Sequence, residues 1–374
     1  MSLSGEESRP SSRWGPLFVV GIAAVIIVSR LALGTEFGFD YKGLWRGGHE
    51  ILDGHSPYLV LGWRRLLLTG NAFVVPPLLG ELSIPFSVLP FHVALPLWNL
   101  LSACGLAAAL KVVGVRDGRV YLLAACSFPF MSSQIMGQPD GLFALAAALA
   151  WRYRDSWPGA VAVGVVIAAK LLAWPLLLWF LITRRIRSAL ISATSIVVLL
   201  LLSWAPIDFK GLLGYPRLLY EDARGFETRS HSFVALAMRL GASAGLSTGL
   251  ATAIAIVVAA AVVRAARGSD LGWFAGAITL GLLVSPVLWT HYLVLLLVPL
   301  AISRPRFDWV WVLTGTAFVL SPVEPAHGWQ IAVVLMTTFT IAVMTGSAAR
   351  ATRPPNIRTR SRAARARTER NYAT

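Results

Sequence analysis

The residues able to do chemistry stand at the edges of long apolar runs. Asp40 follows the first such run, inside the polar stretch of residues 38–58, which we interpret as a loop. An ionisable residue at the edge of a membrane is energetically costly and is therefore a functional candidate. A carboxylate there could act as a general base on a hydroxyl within hydrogen-bond reach. The alternative is a carboxylate paired with Lys42 or Arg46 in a solvated loop.

Three basic side chains could hold an anionic group such as a phosphate. Lys170 is the one charge in the run AVGVVIAAKLLAWP, and a lysine serves phosphate as a point charge. His291 lies in SPVLWTHY between two apolar runs and could donate to a phosphate or orient a hydroxyl. Arg229, in RSHS, could reach a phosphate. The alternatives are a snorkelling lysine, a histidine that caps an interfacial turn and a solvated arginine.

Aromatic and polar residues form a second candidate set, for substrate contact. Trp289 suits stacking on a sugar ring, although the aromatic belt of a membrane protein explains it equally well. Gln138 lies in the turn 137–140, whose glycine and proline content turn formation alone would explain. The expected substrate contacts are Tyr41, Tyr58, Gln138, Trp289 and His231.

Composition indicates a membrane protein. Of the 374 residues, 56% are hydrophobic and 14% are charged, and the mean hydropathy is +0.67. Soluble proteins carry roughly 25% charged residues. The apolar runs approach the roughly 20 residues that cross a bilayer as a helix, and helices satisfy their own backbone groups in lipid. We therefore expect an all-α polytopic membrane domain at 17–347, after a disordered N-terminus at 1–16 and before a basic tail at 348–374.

The placement of arginine predicts the topology. The net charge of +15 comes largely from arginines in short loops between apolar runs and in the tail. This is the positive-inside pattern, with a tail that can contact anionic lipid, and it explains the charge without a nucleic-acid partner. Both termini and the arginine loops are then cytoplasmic, in a plasma-membrane protein whose polar stretches face outward. The loop arginines are Arg116, Arg119, Arg152, Arg154, Arg184, Arg185, Arg187, Arg264, Arg267, Arg304 and Arg306.

This topology predicts about twelve membrane helices. The first outer loop spans about 34–90 and is large, because prolines make 76–90 a re-entrant or interfacial segment and place the second span at 91–113. A second outer region spans about 206–243. Residues 120–136 and 310–321 are expected to be single spans. The sequence shows no internal repeat, so the inverted-repeat signature of many transporters is missing.

Several classes of site have no matching motif. The sequence contains no P-loop, Rossmann glycine run, zinc signature or nucleophile elbow. An activated donor must therefore be carried in the membrane or come from outside the cytoplasm. Cys104 and Cys126 lie in apolar runs and imply neither a disulfide framework nor a metal cluster. Asp40 and Asp140 are isolated acids and make no convincing metal pair, so we expect no metal and no cofactor.

The order of several short motifs carries a family resemblance. Asp40 and Tyr41 follow the first span; then come GHSPY at 54–58, PPL at 76–78, GQPDG at 137–141, AAKLLAWP at 168–175 and SPVLWTHY at 285–292. This order resembles glycosyltransferase family 87, the polyprenol-phosphate-mannose-dependent mannosyltransferases of actinobacteria, which belong to the GT-C class of multi-span enzymes. The resemblance extends from residue 17 to about residue 345.

The resemblance implies an inverting transfer of a mannosyl residue from polyprenyl-phosphate mannose to a hydroxyl of a glycolipid or envelope glycan on the outer face. It assigns the general base to Asp40 and the donor phosphate to Lys170 and His291, to which we add Arg229. Such a transfer needs one base and stabilisation of a leaving phosphate, and no second carboxylate as nucleophile. The partners are the lipid-linked donor, the glycolipid or glycan acceptor and membrane lipids.

Three other functions stay open at this point. A related arabinofuranosyltransferase would use decaprenyl-phosphate arabinose as its donor. A transporter or flippase for a lipid-linked substrate would share the apolar spans and intramembrane charges. A catalytically silent scaffold of envelope assembly would tolerate Asp40→Asn in every assay. The large outer loop that carries Asp40 favours the enzyme, since transporters more often place their sites on broken helices at the midplane.

Overall fold

The computed structural model describes residues 14–33, 37–58, 72–226, 228–266, 268–312 and 327–351, and every regular element in these residues is a helix. The expected all-α fold is therefore confirmed for this part of the chain. The α-helices are α1 Gly15–Leu33, α2 Phe39–Leu52, α3 Pro77–Ser87, α4 Phe91–Val112, α5 Gly118–Ala125, α6 Phe128–Met136, α7 Asp140–Arg152, α8 Trp157–Ala169, α9 Pro175–Ile182, α10 Ile186–Trp204, α11 Tyr215–Phe226, α12 Phe233–Arg239, α13 Ala244–Ala266, α14 Asp270–Val284, α15 Leu297–Ser303 and α16 Gly328–Ala351. The 3-10 helices are η1 Leu171–Ala173, η2 Ala205–Ile207 and η3 Thr290–Leu296.

Four helical segments in the described residues are long and apolar enough to cross a membrane: Phe91–Val112, Ile186–Ile207, Ala244–Ala261 and Gly328–Thr345. The count of about twelve spans stays a prediction. Part of it falls outside the described residues, as does most of the span expected at 310–321. The same holds for residues 1–13, for 34–36 and 59–71 of the first outer loop, and for 352–374 of the tail.

The shorter apolar helices are often halves of a broken run. The segment 120–136, expected to be a single span, is not one continuous helix: α5 ends at Ala125, and α6 begins at Phe128 with Pro129 in its first turn, where a missing N–H costs nothing. Whether the segment crosses the membrane stays a prediction. The run around Lys170 breaks in the same way. Lys170 has extended backbone angles between α8 and η1, and Pro175 opens α9.

The stretch interpreted as a polar loop is helical over Phe39–Leu52, as α2. Tyr41, Leu44 and Ile51 are buried on one face of α2, while Lys42, Arg46 and Glu50 are exposed on the other. This face packs on α3, where Ser83 Oγ donates a 2.9 Å hydrogen bond to the Leu44 carbonyl. The glycines and charges of this stretch are typical of a loop, which is why the sequence did not indicate a helix. Tertiary packing of its apolar face stabilises the helix.

A close helix crossing holds the centre of the bundle. α4 packs against α7 at Gly141, where a Cβ atom would collide with the Ser102 carbonyl. The Gly141 backbone N–H donates to Ser102 Oγ at 3.2 Å. Because residue 141 has no side chain, α7 can approach α4 this closely, and the hydrogen bond holds its N-terminal end there. The turn that precedes α7 is held in place in the same way.

The arginine loops gather at the opposite end of the bundle. Asp270, at the start of α14, accepts hydrogen bonds from two nitrogens of Arg185 at 2.9 and 2.8 Å and from Trp179 Nε1 at 2.8 Å. Arg154 Nε lies 2.8 Å from the same carboxylate. Such charge-assisted bonds are among the stronger ones in proteins. They join the loops after α7, α9 and α13. The length of α7, about 20 Å, separates this end of the bundle from Asp140.

Candidate active site

Four separate segments meet at the other end of the bundle. They are the first turn of α2 with Asp40, the turn from α6 to α7 with Gln138 and Asp140, the C-terminal end of α8 with Lys170, and η3 with His291. Asp40 is half-buried, and its Oδ2 accepts a 2.9 Å hydrogen bond from Gln138 Nε2. The structure thereby connects residues that the sequence expected in separate roles.

Local packing sets the position of Asp40. Gly38 precedes α2 with φ +72°, a conformation that favours glycine, and its N–H donates to the Ile135 carbonyl at 2.8 Å. Tyr41 stacks on Trp98 with ring centroids 5.3 Å apart, and Trp98 Nε1 donates to the Gly137 carbonyl at 3.0 Å. The start of α2 is therefore docked on the end of α6 before any substrate binds.

The backbone of Gln138 is held equally firmly. Its N–H donates to the Ser133 carbonyl at 2.8 Å, and its own carbonyl accepts from Ser133 Oγ at 3.0 Å and Ser102 Oγ at 3.2 Å. Gly137 has φ +75°, and a Cβ there would lie 2.5 Å from the Tyr41 Cβ. The Gln138 amide therefore projects from a fixed turn, which gives its hydrogen bond to Asp40 a defined direction.

Lys170 and Asp140 form a buried ion pair. Lys170 Nζ lies 3.4 Å from Asp140 Oδ1, and the two side chains are 12% and 1% exposed. The ammonium also sits 3.7 Å from the centroid of the Tyr292 ring, a cation–π contact. Asp140 was absent from the residues expected at the site. Its position in GQPDG, directly before an apolar run, is the signal that could have indicated it.

His291 also contacts the Tyr292 ring. Its ring meets that of Tyr292 edge-on, with centroids 4.7 Å apart. The side chain is buried, and within the described residues its Nε2 has no hydrogen-bond partner. Because Lys170 and His291 both contact Tyr292, the ammonium and a free imidazole nitrogen share one neighbourhood. That combination suits an anion that also accepts hydrogen bonds.

The environment of Asp40 makes its carboxylate a stronger base than usual. Burial raises the pKa of Asp40, while the hydrogen bond from Gln138 and the positive charge of Lys170 lower it to a smaller degree. Burial also raises the pKa of Asp222, on α11, to about 6, with a further contribution from the charge of Asp40. Asp222 is therefore a second acid near the site, and no motif in the sequence singles it out.

His231 is buried beside the loop that leads to His291. Its backbone N–H donates to the Leu288 carbonyl at 2.8 Å, and neither ring nitrogen has a hydrogen-bond partner among the described residues. Burial lowers the pKa of His231 to about 4, so the ring is neutral at pH 7. Ser232 caps α12 by accepting a hydrogen bond from the Ala235 N–H at 3.2 Å.

The other expected residues have different surroundings. Tyr41 is fully buried, and Tyr58 is buried with its hydroxyl donating to the Val75 carbonyl at 2.7 Å. Trp289 is half-buried and meets Phe226 edge-on. Arg229 is exposed to solvent. The structure thus brings Asp40, Gln138, Lys170 and His291 together, places the two tyrosines in the core and leaves Arg229 at the surface.

Comparison with known protein families identifies a match. The model of glycosyltransferase family 87 matches residues 73–286, which is more than half of the chain. The chain belongs to glycosyltransferase family 87. The resemblance drawn from the motifs is confirmed, and the protein is a glycosyltransferase of the membrane with donor and acceptor substrates there. No curated protein and no solved structure gives a significant match.

The part of this family 87 enzyme that matches includes Gln138, Asp140 and Lys170, while Asp40 and His291 lie outside it. Within the described residues, no group of three or more His, Cys, Asp or Glu side chains is placed to hold a metal ion. The arrangement does combine a hydrogen-bonded carboxylate with a cation and a buried imidazole. Such a set can accept a proton at one point and stabilise an anion at another.

Proposed function

We propose that this family 87 glycosyltransferase moves a mannosyl residue from polyprenyl-phosphate mannose to a hydroxyl of a glycolipid or envelope glycan, with inversion at the sugar carbon. The observation that carries the proposal is the convergence of Asp40, held by Gln138, with Lys170, held by Asp140, at one end of the bundle. A base and a cation are the two groups that such a transfer needs.

Asp40 is the proposed general base. Its Oδ2 is engaged by Gln138, which leaves Oδ1 to accept the proton of the acceptor hydroxyl. The acceptor oxygen then forms a bond to the sugar C1 while the bond between C1 and the phosphate oxygen breaks. Because burial raises the pKa of Asp40, its carboxylate is a better proton acceptor than one in water.

Lys170 and His291 are the proposed site of the donor phosphate. The polyprenyl phosphate leaves with the electron pair of the broken C–O bond, so negative charge on its oxygens grows during the reaction. An ammonium and an imidazole N–H that are already in place stabilise that charge without reorganising. His231 and Trp289 lie beside this region and are proposed substrate contacts. Tyr41 and Tyr58, also expected to contact substrate, lie in the core. Arg229, expected at the donor phosphate, lies at the surface.

The position of the arginine loops, at the end of the bundle opposite the candidate site, supports an extracytoplasmic site. The arginine loops joined by Asp270 lie at the end of α7 opposite Asp140. Arginine in short loops is retained on the cytoplasmic side, which would place the catalytic end outward and both termini inside. We propose on this basis a GT-C type bundle of about twelve spans in the plasma membrane.

Sugar transfer in membranes tests the proposal. Membranes that contain the wild type, Asp40→Asn or the control Asp53→Asn, at matched abundance, receive radiolabelled polyprenyl-phosphate mannose and extracted envelope glycolipids. Asp53 is exposed at the C-terminal end of α2, so its variant should keep wild-type activity. We expect a labelled product from the wild type and the control, and at least about a hundredfold less from Asp40→Asn.

The same assay with decaprenyl-phosphate arabinose separates a wrong sugar from a wrong mechanism. Product from arabinose alone would replace mannose with arabinofuranose and leave the roles of Asp40 and Lys170 intact. Transfer by Asp40→Asn at the wild-type rate would overturn Asp40 as the base. Movement of the labelled lipid across the bilayer without formation of a glycosidic bond would favour a transporter.

A further inference from the structure

An exposed apolar turn follows α10 on the catalytic side of the bundle. We call residues 208–214 the outer tip. Asp208 and Phe209 have φ of +52° and +56°, and Gly211 has φ +97°, so the chain reverses sharply there. Phe209 and Leu212 are exposed, and Leu213 is 97% exposed. A leucine in this position would be fully hydrated unless another surface covers it.

The outer tip continues the lipid-facing side of a membrane helix. It begins directly after the candidate span Ile186–Ile207, of which only 22% is buried in the protein. Exposed apolar side chains line that span up to its end, at Leu190, Val197, Val198, Leu201 and Leu202. The outer tip therefore follows directly on a helix whose exposed apolar side chains suit contact with hydrocarbon.

The other end of the same outer region also has an exposed leucine beside a candidate membrane span. Leu240 is 79% exposed and lies just before the candidate span Ala244–Ala261, of which 11% is buried. The outer region thus leaves and re-enters the membrane at exposed leucines. Lys210 and Arg217, which are exposed and form ion pairs with Asp208 and Glu221, lie close to Leu213 in the chain. Exposed charged side chains beside exposed apolar ones suit the headgroup level of a bilayer.

We propose that the outer tip inserts Phe209, Leu212 and Leu213 into the outer leaflet, at the boundary between headgroups and acyl chains. Apolar side chains flanked by basic ones bind this boundary through buried apolar area together with electrostatic attraction. The partner is the lipid surface, because the tip is continuous with the lipid-facing side of α10. The proposal rests on the membrane orientation given above, in which the catalytic end faces outward.

Contacts join the outer tip to the segment that carries Asp40. Ser56 Oγ donates to the Lys210 carbonyl at 2.7 Å, and Gly211 packs against Tyr58 so closely that a Cβ there would lie 2.9 Å from the Tyr58 Cβ. Tyr58 in turn stacks on Trp204 at the end of α10, with centroids 4.7 Å apart. If the tip is anchored in the outer leaflet, these contacts fix the distance between the segment that carries Asp40 and the bilayer surface. The lipid tail of the proposed donor lies in the same leaflet.

Depth measurements in nanodiscs test the insertion. Single cysteines replace Leu213 or, as the control, Asp53, in a chain that also carries Cys104→Ala and Cys126→Ala. The nanodiscs contain only the purified protein with phosphatidylcholine and phosphatidylglycerol. Two readouts follow: the reaction rate with a charged, membrane-impermeant maleimide, and quenching of an attached NBD fluorophore by lipids that carry a nitroxide near the headgroup.

We expect the cysteine introduced at position 213 to react at least tenfold more slowly than the one at position 53. Its NBD label should be quenched by the nitroxide lipids, and the label at position 53 by aqueous iodide. Equal maleimide rates, or iodide quenching that is as strong at position 213 as at position 53, would overturn the proposal. Neither readout requires sugar transfer, so this result stands apart from any failure of the proposed function.

Discussion

Gln138 Nε2 donates a 2.9 Å hydrogen bond to Asp40 Oδ2, although 98 residues separate the two along the chain. The bond crosses from the turn before α7 to the first turn of α2. Gln138 was expected to contact substrate, whereas its amide here orients the proposed base. A carboxylate with one oxygen engaged presents the other in a defined direction, which favours proton transfer in a fixed substrate geometry.

Asp40→Asn should lower kcat/KM by about 10²–10⁴-fold, because an amide cannot accept the proton of the acceptor hydroxyl. The loss should fall on kcat, since asparagine keeps the shape and the hydrogen bonding of the site. Initial rates of sugar transfer, measured at matched amounts of folded enzyme, check this. A change confined to KM would contradict the assignment.

Gln138→Ala should move the acidic limb of the pH profile of kcat/KM to higher pH. The reaction needs ionised Asp40, and the lost hydrogen bond is one of the interactions that lower the pKa of Asp40. Activity should therefore fall at acidic pH and recover as the pH rises. Gln138→Glu should move the limb further, because a second carboxylate opposes ionisation of the first.

The control for this profile is Lys42→Ala, which changes an exposed residue on the outer face of α2. Its acidic limb should coincide with that of the wild type. If the Gln138→Ala profile keeps its shape and falls uniformly at every pH, then Gln138 does not act through the ionisation of Asp40.

Lys170→Met should both weaken donor use and destabilise the fold. Removing one partner of a buried ion pair costs about 3–5 kcal/mol, because the other charge is left uncompensated. The ion pair with Asp140 is buried enough for this rule to apply. Titration of unfolding with SDS in mixed micelles measures the stability, and the KM for the lipid-phosphate donor measures binding.

The double variant Lys170→Met with Asp140→Asn separates the two roles. It removes both charges, so most of the lost stability should return. Transfer should stay low, because no cation faces the donor phosphate. Recovery of transfer together with stability would mean that Lys170 serves the fold alone.

Asp270→Asn should lower the free energy of unfolding by about 1.5–3 kcal/mol, the value of a hydrogen bond to a charged group. Asp270 accepts hydrogen bonds from Arg185 and Trp179 and forms an ion pair with Arg154 at the arginine end. Its distance from the candidate site predicts unchanged transfer per folded molecule. Asp208→Asn is the matched control, since its exposed pair with Lys210 should contribute about 0–1 kcal/mol. Equal stability of the two variants would contradict the prediction.

Much of the site was predictable because charges and helix-breaking residues stand out in an apolar sequence. Lys170 lies where an apolar run breaks, His291 lies after a proline, and Gln138 lies in a Gly-Pro turn. These positions mark the ends of helices, and helix ends on one side of a membrane are brought close together. The positions of the candidate residues could be inferred in this way. The family could be inferred from the order of the motifs that contain them.

The pairing of these residues could not be inferred, because it depends on how helices rotate against each other. Asp140 becomes the partner of Lys170 because α7 packs beside α8, so that the start of α7 meets the end of α8. Tyr41 stands next to Asp40 in the sequence, yet successive residues of a helix point in different directions, and its ring turns into the core. The helix α2 itself was missed because its charges and glycines resemble a loop.

The charged contacts around Asp270 give the two ends of the bundle different kinds of contact. At the arginine end, charge-assisted bonds from Arg185 and an ion pair with Arg154 join three loops through one carboxylate. Among the described residues, the contacts at the catalytic end include the Gln138–Asp40 hydrogen bond and the Lys170–Asp140 ion pair, together with neutral bonds such as the one from Trp98 to Gly137. The arginines that orient the chain during insertion would also keep it together during every turnover.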